Sequence, residues 1–150
     1  MKRRLVIAST VVAVAAAASV ALVAQAAGTS SGHKGGQFVG YWMGIDPLDG
    51  GDSRRGITPN EDRTFSLIGR DTVFTLCDDT DRAIVTAADL TIRGTKLVSD
   101  DFVISCTNTG ATVRLKVRYE IVDRNIVREA LTSQTGEPVD EILFHRVSAP

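Results

Sequence analysis

Between Ala111 and Val122 apolar and polar side chains trade places at every step: Val113, Leu115, Val117, Tyr119 and Ile121 against Arg114, Lys116, Arg118 and Glu120. A period of two puts the first set on one face of a strand and the second on the other, so the segment predicts a half-buried strand with one wet face. The same period recurs down the chain. Asp123-Arg124-Asn125 reads as a turn and Ile126 to Leu131 as the returning strand. Leu97 to Cys106 carries Phe102, Ile104 and Cys106 on one face, and Ala83 to Arg93 carries Ile84, Leu90 and Ile92. Glu141 to Val147 is a final strand.

The N-terminal half alternates less regularly. Phe38 to Ile45 reads as a strand, Asp46 to Ser53 as a Pro/Gly/Asp loop and Arg54 to Pro59 as a short strand before the turn at Asn60-Arg63. Thr64 to Cys77 is two strands about Gly69-Arg70 or one long strand bent there, since glycine inside a strand marks a bend or bulge. Counted as one bent strand, the total is eight. Strands at short spacing with no helical period between them predict an all-β fold, an antiparallel up-and-down meander closed into a small barrel that leaves no free edge.

The first residues differ in kind. Lys2, Arg3 and Arg4 precede an apolar run from Leu5 to Val23 that ends in Ala24-Gln25-Ala26. Basic, apolar and small-residue regions in that order form a secretory signal, so residues 1–26 are expected to be cleaved. Residues 27–36 are Gly, Ser, Thr, His and Lys, a composition expected to form a flexible arm. Residues 37–150 form the single β-barrel domain. Without residues 1–26 the chain has 14 basic and 18 acidic residues. That balance argues against a nucleic-acid partner, which needs a basic surface, and no stable membrane insertion is expected once the signal is gone. The destination is extracellular or periplasmic.

An oxidising compartment pairs cysteines, and the chain has two, Cys77 and Cys106. A bridge between them faces a geometric obstacle. In a meander one strand lies between theirs, which separates them by about 9.6 Å at about 4.8 Å per strand. The loop ends must therefore curl together over that intervening strand for the bond to form.

Gly40-Tyr41-Trp42 opens the first strand and Phe144-His145-Arg146 closes the last. The pair resembles the G-x-W and late Arg of lipocalin-like (calycin) barrels. The resemblance implies structural roles for Gly40, Trp42 and Arg146, with Arg146 packed over the indole and Arg128 as the alternative position. Such a contact contributes about 0.5–2 kcal/mol.

The remaining polar constellations have ordinary readings beside their chemical ones. Asp46, Asp49 and Asp52 lack EF-hand spacing and are good turn residues, so no metal is expected. Asp78, Asp79 and Asp81 form a second acidic loop. Asp100-Asp101 lies within a strand, where one carboxylate points inward unless a bulge intervenes. His145 stands opposite Phe144 and Arg146 on its strand, and no nucleophile elbow or reactive-cysteine signature accompanies it. Hence no catalytic residue and no cofactor is expected.

Inward positions expected to be small or medium include Ala88, Val113, Val117, Thr75 and Ala130. With Tyr41 and Tyr119 as aromatic liners, the residues expected to touch a ligand are Tyr41, Thr75, Val113, Val117 and Tyr119. The first expectation is therefore a monomeric secreted barrel, not an enzyme, holding a small apolar molecule inside. An interaction or inhibitor module that acts through its loops, with a filled barrel, is the alternative, and an unrecognised hydrolase the third reading.

Overall fold

The computed structural model describes residues 34–73, 77 and 84–147. The signal segment 1–26, the arm as far as residue 33, Thr75 and the acidic loop residues Asp78, Asp79 and Asp81 lie outside the described residues.

Eight strands follow a short 3-10 turn at Gly36–Phe38: β1 Gly40–Ile45, β2 Asp52–Pro59, β3 Phe65–Asp71, β4 Ile84–Arg93, β5 Lys96–Cys106, β6 Thr112–Asp123, β7 Ile126–Thr132 and β8 Pro138–Val147. Each pairs antiparallel with the next, and β8 returns to β1, where Trp42 sits opposite Arg146. The result is the closed meander that the period of two predicts. The Thr64–Cys77 segment resolves as one strand that stops at Asp71.

Alternation fills the barrel. Phe38, Trp42, Phe65, Phe102, Tyr119 and Phe144 are among the largest side chains sealed from water, with aliphatic residues between them. One extra residue in β5 keeps the pattern in phase: the register with β6 slips between Ser99 and Phe102. Leu97 and Ser99 therefore face inward, as do Phe102 and Ile104, while Asp100 and Asp101 are both exposed. Those two carboxylates pair with Arg93 and Arg114 across the outer surface.

The 3-10 turn closes one end. Phe38 is fully buried, and Trp42 Nε1 donates to its carbonyl at 2.8 Å. Arg146 lies 4.0 Å from the Trp42 ring centroid. Its Nη1 and Nη2 donate to the carbonyls of Val39 and Gln37, each at 2.6 Å. Gly40 leaves room for this: φ is +138°, and a Cβ there would stand 2.7 Å from Arg146 Nη1. Gly35 falls within the segment whose composition predicts a flexible arm. Gly35 is buried against Ile92 and Phe65, a fit available only to a residue without a side chain.

Cys77 and Cys106 are bonded, with Cα atoms 5.7 Å apart. The two-strand obstacle disappears because Cys77 stands in the β3–β4 connection, outside β3. From there it reaches the β4–β5 border, where Ile84 and Cys106 face each other.

Candidate functional site

The interior holds an ion cluster that the alternation already encodes. On β7, Val127 and Leu131 face inward with Glu129 between them; on β3, Leu67 and Gly69 lead to Asp71; on β2, Ser53 and Ile57 flank Arg55. Arg55 crosses the barrel. Its Nε donates to Glu129 Oε2 at 2.8 Å, Nη2 to Oε1 at 3.0 Å and Nη1 to Asp71 Oδ1 at 2.7 Å. The Tyr119 hydroxyl also donates to Glu129 Oε2. The guanidinium carbon sits 5.1 Å from the Phe144 ring centroid and 5.8 Å from that of Phe102. Gly69 gives it passage, since a Cβ there would meet Arg55 Cδ at 2.8 Å and Thr86 Oγ1 at 2.2 Å.

Burial sets the electrostatics. It works against the Arg55 charge, but Glu129 and then Asp71 outweigh it and hold the guanidinium firmly protonated. Burial pushes the Asp71 carboxyl up despite the opposing charge of Arg55. Burial, and then the charge of Glu129, push the Tyr119 phenol well above its ordinary value. Asp71 Oδ2 and Thr86 Oγ1 are buried without a hydrogen-bond partner. Arg55, Asp71 and Glu129 are 0–3% exposed, so the cluster is sealed from solvent.

Of the residues expected to line a cavity, Val117 and Tyr119 are fully inside, packed with the core, and Val113 is half-buried against it. Tyr41 is not inside: at 66% exposure it stands on the outer wall. Ala130 also departs from the expectation, because Glu129 takes the inward place on β7. Thr75 lies outside the described residues. Among the described residues no group of three or more His, Cys, Asp or Glu side chains is placed to hold a metal ion. In the β1–β2 loop the aspartates cap their own backbone: Asp46 Oδ1 accepts from Leu48 N and Asp49 Oδ1 from Gly51 N, both at 2.7 Å. Burial, then the Asp46 carboxylate, push Asp140 up to about 6 at this rim.

The outer surface divides into two unlike halves. Four ion pairs lie on the outer surface around β4 to β8: Arg93 with Asp100, Lys96 with Glu120, Asp101 with Arg114 and Arg128 with Glu141. The wall from β8 through β1 and β2 to β3 carries a band of exposed apolar side chains. Cross-strand register sets Val147, Tyr41, Gly56 and Ile68 in one row, which continues to Ala87 and Val103. Tyr41 and Ile68 are 66% and 69% exposed, and Met43, Ile45 and Leu143 extend the surface. Gly56 contributes no side chain, so a groove of about 510 Å³ opens over it. Hydroxyls of Thr58 and Ser66 border one end, and Arg54 and Arg70 the other. Alternation alone contained this signal, in the outward sets Tyr41-Met43-Ile45 and Ile68-Arg70, which lack the alternating charges of β6.

The solved structure of a redesigned beta barrel is similar, with a TM-score of 0.56 and 12% sequence identity over 77% of this chain and 96% of that one. At that identity the likeness is one of fold. No protein-family model matches the chain, and no curated protein matches it.

Proposed function

We propose that this protein is an exported, non-enzymatic, lipocalin-like barrel that serves as an interaction module, with its packed interior as scaffold and its outer wall over β8, β1, β2 and β3 as the binding surface. The observation that carries the reading is the apolar wall itself. Exposed apolar side chains gathered on one face mark interaction sites, and Tyr41, Ile45, Ile68 and Leu143 on this wall are 48–69% exposed. The Cys77–Cys106 bond supports export, and the Trp42–Arg146 contact supports the lipocalin-like reading. A small apolar molecule inside the barrel, the first expectation from sequence, would have to displace Val117 and Tyr119 from the core they pack in. Among the described loop residues, the other expected binding surface, Leu48 is the one large exposed apolar side chain.

The test uses phenylnaphthylamine, a neutral apolar fluorophore, with amide shift mapping. Saturable binding is expected, with shifts at Tyr41, Gly56 and Ile68, and Ile68→Glu is expected to remove it. Shifts confined to Val113, Val117 and Tyr119, with binding unaffected by Ile68→Glu, would return the ligand to the interior and overturn the outer-wall reading.

A further inference from the structure

The groove over Gly56 ends in two arginines that face each other. Arg54 on β2 and Arg70 on β3 are direct cross-strand partners, both exposed. Like charges placed directly opposite on a sheet destabilise it. Arg93, Lys96, Arg114 and Arg128 on the other half of the barrel each have a carboxylate partner, whereas no carboxylate among the described residues forms an ion pair with Arg54 or Arg70. The groove itself is lined by aromatic, aliphatic, hydroxyl and arginine side chains and contains no acid. Two unneutralised guanidinium groups at the end of an apolar furrow form a surface whose complement is an anion joined to apolar bulk.

We infer that the wall docks an acidic amphipathic segment of another protein, its carboxylates on Arg54 and Arg70 and an apolar side chain in the furrow between Tyr41 and Ile68. This rests on the outer-wall reading above. Three features select the occupant. The ring is closed, β8 to β1, so a partner cannot add a strand and must bind through side chains, face-on. A second copy docked wall to wall about a two-fold axis would bring the same acid-free groove against these arginines. The apolar surface runs beyond the groove onto Met43, Ile45 and Leu143, which suits a partner of peptide length. Carboxylates suit Arg because its planar fork binds them through two parallel hydrogen bonds.

The experiment titrates the purified protein with three fluorescently labelled helical peptides. They share one Leu/Ala face and carry Glu, Gln or Lys on its flanks. The Glu peptide is expected to bind on the order of tenfold more tightly than the Gln peptide, the scale of a pair of partly exposed ion contacts. Arg54→Gln with Arg70→Gln is expected to erase that preference, and Arg54→Glu with Arg70→Glu to transfer it to the Lys peptide. Equal affinity for Glu and Gln peptides, or a preference that survives the Gln variants, overturns the inference. So does co-sedimentation with phosphatidylglycerol vesicles that needs both arginines and that the Glu peptide does not displace, because the occupant is then a membrane. A dimer in sedimentation that the Gln variants tighten assigns the wall to a second copy instead. Binding of the neutral fluorophore without a Glu preference removes only this inference. Loss of both removes the outer-wall reading with it.

Discussion

Replacing Glu129 by Gln tests whether the interior cluster is as dry as its geometry shows. Glu129 is fully buried and accepts three hydrogen bonds, two from Arg55 and one from Tyr119. The amide keeps the shape and removes the charge. Arg55 then keeps only Asp71 as a counter-ion. Breaking one side of a buried ion pair costs about 3–5 kcal/mol, and the lower figure applies because Asp71 remains. A loss of about 3 kcal/mol is a large share of a total near 5–15 kcal/mol. It lowers the melting midpoint by about 10 °C in a domain of this size. Urea unfolding followed by the fluorescence of Trp42, the single tryptophan, measures it. The companion variant replaces the whole cluster: Arg55→Met, Asp71→Leu, Glu129→Leu and Tyr119→Phe. Removing every charge removes the desolvation cost as well, and such replacements are neutral or stabilising by about 1–4 kcal/mol. A Glu129→Gln loss below about 1 kcal/mol would refute the desolvation argument. A fourfold variant that loses more than the single one would assign the effect to packing instead of charge.

Three further outcomes are expected. Arg146→Ala removes the cover of Trp42 and two donors to the 3-10 turn; it lowers stability by about 1–2 kcal/mol and changes the indole emission, both read in one denaturation series. Cys77→Ser with Cys106→Ser opens a loop with a sequence separation of 29 and costs about 3–4 kcal/mol by chain entropy, measured as the shift in urea midpoint. Asp140 has its carboxyl raised from 3.8 to about 6, so its stabilising contribution is full below 3.8 and lost as pH rises through 6. Asp140→Asn, which keeps an oxygen for Glu141 N, is therefore more stable than the parent at neutral pH, by about 1 kcal/mol after solvent screening at this part-exposed site, and equal to it in acid. A constant difference across pH would contradict burial and the Asp46 charge as its origin.

The barrel was legible because closure asks for little beyond alternation and short turns. Strand β6 announces itself by its charges, and the turn at Asp123-Arg124-Asn125 fixes the register of β7. Parity along one strand also carried Arg55, Asp71 and Glu129 inward, but their meeting depends on which levels of three strands coincide in the closed ring. Nothing local to β2, β3 or β7 states that. Asp100-Asp101 shows the opposite case: two adjacent carboxylates in a half-buried strand demand a bulge, and β5 supplies one. Tyr41 was misplaced for a definite reason. Its neighbour Trp42 takes the inward position, so alternation turns Tyr41 out, while aromatic character suggests the core. The Cys77–Cys106 bond looked remote only while Cys77 was counted within β3.

The contact of Arg146 with Gln37 joins residues 109 positions apart, and β1 finds its second neighbour only in β8. A chain that emerges from its N-terminus therefore has no way to complete the ring until nearly all of it is out. Before that moment one edge of β1 is open, and the 3-10 turn lacks the two hydrogen bonds that Arg146 supplies. Contacts of such sequence separation make folding slow and late. A version truncated before Pro138 should stay protease-sensitive with both cysteines reduced, and a protease-resistant fragment of that length would show that the ring closes by another route.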